Sequence, residues 1–198
     1  YSAYSKPPDM KIAEKEEAFE YRRKAIHFIG GLAVLSVPYI LGIPSALALL
    51  SAGIILVFAA INESVAGNSA IRDYLLRYAE RHGKRPFDGV LWFFTGAILL
   101  LLFSSPPFAL AGIYVMAAGD AAAAIIGKKF GVSKWPHNKK KSLAGTFAFV
   151  LFSLPALYFS FSQQALFAIL LCAALESFNW KFDDNILSSL VFILLSHL

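Results

Sequence analysis

One carboxylate stands alone in an apolar stretch. Asp120 opens the run "DAAAAII" within "GDAAAAIIGKKFG", residues 119–131. An ionised aspartate in such surroundings costs several kcal/mol unless it has a cation, a polar cavity or a chemical task. Two readings are open: Asp120 bonds a polar neighbour where helices pack, or it holds a divalent ion or takes a proton from a hydroxyl at a membrane surface. The chain continues "GKKFGVSKWPHNKKKSLAGT", in which Gly127 and Gly131 predict a tight turn. Lys128, Lys129, Lys134, Lys139, Lys140 and Lys141 gather positive charge there, and Ser142 is placed to cap the following helix. A phosphate at that helix start would gain from the dipole, from unpaired backbone N–H groups and from Lys141. Lysines beside a span are expected for topology alone, which accounts for Lys128 and Lys134. The Lys141–Ser142 pair followed by Gly145 asks for more. The spacing is not that of a Walker A loop.

Further along, "ESFNWKFDDN" places Glu176, Asp183, Asp184 and Asn185 within one short segment. These are hard oxygen ligands of the kind Mg²⁺ takes, although Asp184 or Asn185 could instead cap the last helix. Near the start, "EYRRKAIHFIGG" puts Arg23 and Lys24 just before an apolar run and His27 one turn inside it. Asn62 and Glu63 end the second apolar run, and Asp88 opens the third.

These residues are held by elements suited to a membrane. The 198-residue chain is 58% hydrophobic and 16% charged, with mean hydropathy +0.61, more apolar surface than a soluble domain of this size can bury. We therefore expect an all-α polytopic membrane protein. Apolar stretches run from about 25–41, 45–61, 89–103, 108–126, 143–161, 164–178 and 186–198, giving about seven spans. A polar interfacial segment, residues 1–24, precedes a single helical membrane domain over 25–198, and no cleavable signal pattern or internal repeat is visible. The single Cys172 excludes a disulfide framework within the chain. Within 71–78, arginines between apolar residues predict a surface-lying amphipathic helix.

Lysines and arginines occupy alternate connections only, while those around "LGIPS", "SSPP" and "FSQQ" carry no charge. By the positive-inside rule the amino terminus and the charged loops face the cytoplasm. The acidic residues follow the same side: Asp9 to Glu20, Glu63, Asp73, Glu80, Asp88, Asp120, Glu176, Asp183 and Asp184 all belong to that face. Polar machinery gathered on one side suits an enzyme that brings a soluble charged reagent to a lipid head group. It suits a transporter, with pathways to both faces, less well.

The blocks "RRKAIHFIGG", "GDAAAAIIGKKFG" with "NKKKSLAGT", and "ESFNWKFDDN" resemble, in order and spacing, the polyprenol kinase family that includes dolichol kinase and phytol kinase. The resemblance runs from Arg22 to Asn185. It implies a membrane enzyme that phosphorylates an isoprenoid alcohol, with CTP as donor and Mg²⁺ as cofactor. Where that family often has Glu before the glycine of K-S-x-x-G, this chain has Ala144, so no carboxylate is expected there. Under this reading Asp120 is the catalytic residue. Gly119, Gly127, Lys128, Lys129, Lys139, Lys141, Ser142 and Gly145 surround the nucleotide phosphates. Asp120, Asp183, Asp184 and Asn185 hold the metal, and Arg23, Lys24, His27, Asn62, Glu63, Asp88 and Glu176 line the pocket. The partners implied are CTP, the lipid alcohol and membrane lipids, without nucleic acid; a monomer and a homodimer are both compatible. The expected location is a prokaryotic plasma membrane, with the endoplasmic reticulum as the alternative. The same motifs are similar to those of phosphatidate cytidylyltransferases, which attack the α- rather than the γ-phosphorus of CTP.

Overall fold

A computed structural model describes residues 10–65, 88–180 and 182–198. Helix α1, Met10–Leu41, and helix α2, Ile43–Val65, form an antiparallel pair. They turn at Gly42, whose φ of +84° lies in the left-handed region that glycine enters without penalty. Helix α3 covers Asp88–Phe103. Helix α4, Pro106–Tyr114, a π-helical turn, Val115–Gly119, and helix α5, Asp120–Phe130, run on as one 25-residue helix. Strands β1, Lys134–Trp135, and β2, Asn138–Ser142, pair antiparallel. Helix α6, Leu143–Ser153, continues into a 3-10 turn, Leu154–Tyr158. Helices α7, Gln163–Ser177, and α8, Asp184–Leu195, complete the chain.

Each of the seven expected apolar stretches falls on a helix. Ala18–Leu41, Ile43–Glu63 and Pro106–Phe130 are long and apolar enough to cross a membrane; Gly89–Phe103, Leu143–Tyr158, Gln163–Ser177 and Asp184–Leu195 are shorter apolar helices. The fold is all-α, with one small hairpin, and is that of a membrane protein. The continuous helix is its axis: 67% of its most apolar stretch is buried inside the protein, against 11% for α2. Ile113, Val115 and Met116 of this helix are fully buried, with Leu100, Ile169 and Phe192 packed around it. Outward, α2 exposes Ile55, Leu56 and Phe58, and α6 exposes Phe147, Leu151 and Phe152, as helices in contact with lipid do.

The structure corrects three local expectations. No tight turn forms at Gly127, which is helical; α5 runs on to Phe130 and ends at Gly131. The lysine-rich segment, expected as a charged loop, is a hairpin, because its residues 134–142 double back and pair. The cap of α8 is Asp183 rather than Asp184 or Asn185, since its carboxylate accepts the Asn185 backbone N–H at 3.0 Å. The amphipathic helix expected over 71–78 lies outside the described residues.

Helix α1 approaches the axis closely where Gly31 meets the π-helical turn. A Cβ at Gly31 would collide with the Ala117 methyl and come within 3.3 Å of Phe93. Lys24 and His27 ride on the same helix, so this contact sets their height against Asp120. Gly31→Val should lower the melting temperature in detergent, with a destabilisation of about 1–3 kcal/mol from overpacking. Thermal unfolding followed by circular dichroism measures it, and an unchanged melting temperature would refute the close approach.

Candidate active site

Asp120 is the first residue after the π-helical turn, and its partner comes from 96 positions earlier. The Lys24 ammonium pairs with its Oδ2, and both side chains are largely buried. One turn on, His27 Nε2 lies 3.5 Å from the same oxygen and 3.1 Å from the Met116 carbonyl oxygen. The His27 ring stands edge-on to Phe93, with centroids 5.1 Å apart. Lys24 and His27, three residues apart on α1, share a helix face. The aspartate among alanines thus has a cation and a fixed orientation.

Two further carboxylates reach the same place from α7 and α8. Lys141, on β2, spans them: its Nζ is 2.9 Å from Glu176 Oε1 and 3.3 Å from Asp184 Oδ2. Burial by itself would push the Lys141 ammonium down, but the charges of Glu176, Asp184 and Asp120 outweigh it and raise it above the ordinary lysine range. It therefore stays protonated through neutral pH. Carboxylate oxygens of Asp120, Glu176 and Asp184 all lie within 4.8 Å of one another. Glu176 Oε2 is buried and has no hydrogen-bond partner among the described residues.

The hairpin is bracketed from both sides. Ser142 Oγ accepts the Gly145 N–H at 3.1 Å, capping α6, and donates to the Gly127 carbonyl oxygen at 3.3 Å. Helix α6 comes so near α5 that a Cβ on Gly145 would stand 2.9 Å from the Ala123 carbonyl oxygen and 3.2 Å from Gly127 Cα. Asn138, buried, donates from Nδ2 to the Ser177 carbonyl oxygen at 3.0 Å and accepts the Lys140 N–H at 3.1 Å. His137 stacks on Phe178 with centroids 4.5 Å apart. Trp135 Nε1 donates to Thr146 Oγ1 at 2.9 Å. These contacts fix β2, and with it Lys141, over the end of α7.

A cavity of about 570 Å³ opens at this end of the helices, within the range of ligand sites. Arg23, Lys24, Lys128, Lys134, Lys140 and Lys141 line it together with Glu20, Asp120, Glu176 and Asp184. Acid at one wall and base around the rest suit a cation and a polyanion bound side by side. Behind the three acids lies a void of about 10 Å³, bounded by Met116, Phe149 and Cys172, with room for about one water.

No family model and no solved structure matches the chain. Among curated proteins it is similar to phytol kinase 1, chloroplastic, of Arabidopsis thaliana, 29% identical over 206 residues, which cover 89% of this chain and 65% of that one. It is similar to farnesol kinase, chloroplastic, of the same plant, 36% identical over 75 residues, or 36% of this chain and 24% of the relative. It is also similar to CTP-dependent diacylglycerol kinase 1 of Saccharomyces cerevisiae, 36% identical over 74 residues, or 37% and 24%. The chain is a homologue of lipid-alcohol kinases. The matches span between 24% and 65% of the length of these relatives.

Of the residues singled out in sequence, the structure brings Arg23, Lys24, Asp120, Gly127, Lys128, Lys141, Ser142, Gly145, Glu176 and Asp184 around one cavity. His27 stands behind Asp120. Others lie elsewhere. Asp183 Oδ1 accepts both the backbone N–H and the side-chain Nδ2 of Asn185, at 3.0 and 2.8 Å, so the pair builds the start of α8. Burial raises the Asp183 carboxyl above its usual range despite those bonds. Lys129 is exposed, 5.4 Å from the centre of the Phe130 ring, and Lys139 is exposed on β2. Gly119 packs under Ser153 and Phe149, where no Cβ would fit. Asn62 and Glu63 are exposed at the end of α2 and do not line the cavity; Asp88 opens α3, and its side chain lies outside the description.

Sequence reasoning missed Glu20, Tyr21, Thr146 and Asn179, all of which line the cavity. Glu20 and Tyr21 sit one turn before Lys24, a signal readable once the polar lead-in is taken as helix. Thr146 lies one turn after Ser142. Asn138 offered no signal. Ser142→Ala removes the cap of α6 and should destabilise the protein by about 1 kcal/mol, seen as a lower melting temperature, whereas Ser142→Thr should keep most of it. Equal melting temperatures for Ala and wild type would remove the cap from this account.

Proposed function

We propose that this chain is a membrane phosphotransferase that moves the γ-phosphate of CTP to the hydroxyl of an isoprenoid alcohol. The observation that carries the reading is the meeting of three carboxylates with a lysine-lined cavity at one end of a helical membrane protein. Kinship with lipid-alcohol kinases supports the reaction class, and the choice of CTP and of an isoprenoid acceptor rests on that kinship. By the distribution of lysine and arginine, this end of the molecule faces the cytoplasm.

The residues fit Mg²⁺. They offer hard oxygen donors within 4.8 Å of one another, one of them a buried carboxylate with an unserved oxygen. Asp120, Glu176 and Asp184 would hold it, leaving Asp183 and Asn185 to cap α8. When bound, it would offset charge on the phosphate oxygens during transfer. The chain's own residues do the rest. Lys128, Lys140, Lys141 and Arg23 draw the triphosphate into the cavity and hold its oxygens. Ala123, Ala124 and Ile125 give that cavity an apolar wall against which the first carbons of the alcohol can lie. The alcohol oxygen attacks the γ-phosphorus, the bond from that phosphorus to the β–γ bridging oxygen breaks, and CDP leaves with the electron pair. Asp120, oriented by Lys24 and His27, faces the attacking hydroxyl, either as a ligand of the ion or as the acceptor of the hydroxyl proton. Phosphoryl transfer depends mainly on positioning and charge stabilisation.

The decisive assay supplies purified protein in detergent with Mg²⁺, CTP labelled at the α- or γ-phosphate, and a panel of polyprenol, geranylgeraniol, phytol, diacylglycerol and phosphatidate. We expect γ-label in an extractable lipid and CDP left behind. Transfer of α-label with release of pyrophosphate would make the chain a cytidylyltransferase instead. Asp120→Asn should lower turnover by roughly two orders of magnitude or more, the scale of one key acid–base or electrostatic group. Because that change strands the buried Lys24 ammonium, helix content is compared in parallel. Asp183→Asn, which preserves a good capping side chain, should stay within a few-fold of wild type, whereas Asp184→Asn should lose about a hundredfold. The reverse order would exchange the roles of these neighbours.

A further inference from the structure

The three acids already hold cations, and the two cations differ in kind. Lys24 projects from the interior of α1, its side chain 10% exposed, onto Asp120. Lys141 projects from the edge of the cavity, 33% exposed, and bridges Glu176 and Asp184. It serves only one oxygen of Glu176; the other, buried, has no partner among the described residues. An ammonium is a point charge on a flexible stem and satisfies this cluster incompletely. A divalent ion among the same oxygens would meet the Lys141 charge at close range, and a triphosphate entering the cavity would offer that charge new partners.

We propose that Lys141 is a place-holder cation, which occupies Glu176 and Asp184 while the cavity is empty and moves onto phosphate when metal and nucleotide arrive. The proposal rests on the reading of the cavity as a metal and polyphosphate site. It makes metal and nucleotide binding mutually dependent: each frees a partner for the other, and without nucleotide the lysine holds metal affinity down. Because linkage is reciprocal, the lysine also keeps nucleotide affinity low without metal. The exchange keeps three closely spaced carboxylates compensated at every stage beside the bilayer, where an uncompensated cluster would be expensive.

The test measures Mn²⁺ binding to the detergent-purified full chain without nucleotide, by the loss of the free-ion electron paramagnetic resonance signal. Lys141→Gln should bind Mn²⁺ at least about tenfold more tightly than wild type, since a like charge a few ångströms away is removed. Lys141→Arg, which keeps the charge, should stay near wild type, and Glu176→Gln added to Lys141→Gln should abolish the gain. A folded Lys141→Gln protein with unchanged or weaker Mn²⁺ affinity overturns the exchange. Should that variant not fold, the wild type decides by lysine methylation mapped by mass spectrometry. Added Mg²⁺ should raise labelling of Lys141 several-fold relative to exposed Lys139, and no increase overturns the proposal. Neither readout involves turnover, so an α-label result in the assay above would change the reaction class and leave this conclusion standing.

Discussion

The buried pair between Lys24 and Asp120 is the constraint on which the site depends. It joins the first helix to the axial helix across 96 residues of sequence. Removing one partner of such a pair leaves the other charged without compensation, at about 3–5 kcal/mol, so the two helices must keep their relative height. The close approach of Gly31 to the π-helical turn enforces the same height by packing. The π-helical turn precedes Asp120 directly, and its Met116 carbonyl oxygen meets His27. Such turns are frequent at functional sites, and here one lies where a carboxylate is aimed into a cavity.

The second support is the hairpin. Residues 134–142 carry little apolar surface, and their position comes from specific polar contacts rather than from burial. Ser142 fastens one end to α5 and α6, and Asn138 fastens the other to the end of α7. The result is a lysine-bearing strand laid over two acids. A cluster of carboxylates is expensive near a membrane, and it is tolerated here because each acid has an ammonium in reach.

Much of the architecture was legible from residue order. Apolar runs gave the helices, Ser142 announced a helix start, and Asp120 stood out because an ionisable group in such a run needs a reason. The lysines were harder, since topology and phosphate binding call for the same residues; Lys128 and Lys134, attributable to topology alone, line the cavity, whereas Lys129 and Lys139 do not. Lys128 and Lys129 are neighbours on α5 and point in different directions around it, and Lys134 and Lys139 come from different strands of the hairpin. No periodicity announced a strand of five residues.

The same limit applied to the acids. Glu176, Asp183 and Asp184 form one group in sequence, and any of them could be a cap or a ligand. Composition and charge order by themselves determined an all-helical membrane fold with its polar residues gathered toward one end, because solvation of apolar runs and charges depends on local residue type. Which carboxylate faces the cavity was decided only in three dimensions. Asp183 turns back onto Asn185 to start α8, leaving Asp184 to meet Lys141 and Glu176, because a capping geometry points consecutive side chains in different directions. The partners that settle each role come from distant helices, and only packing brings them within reach.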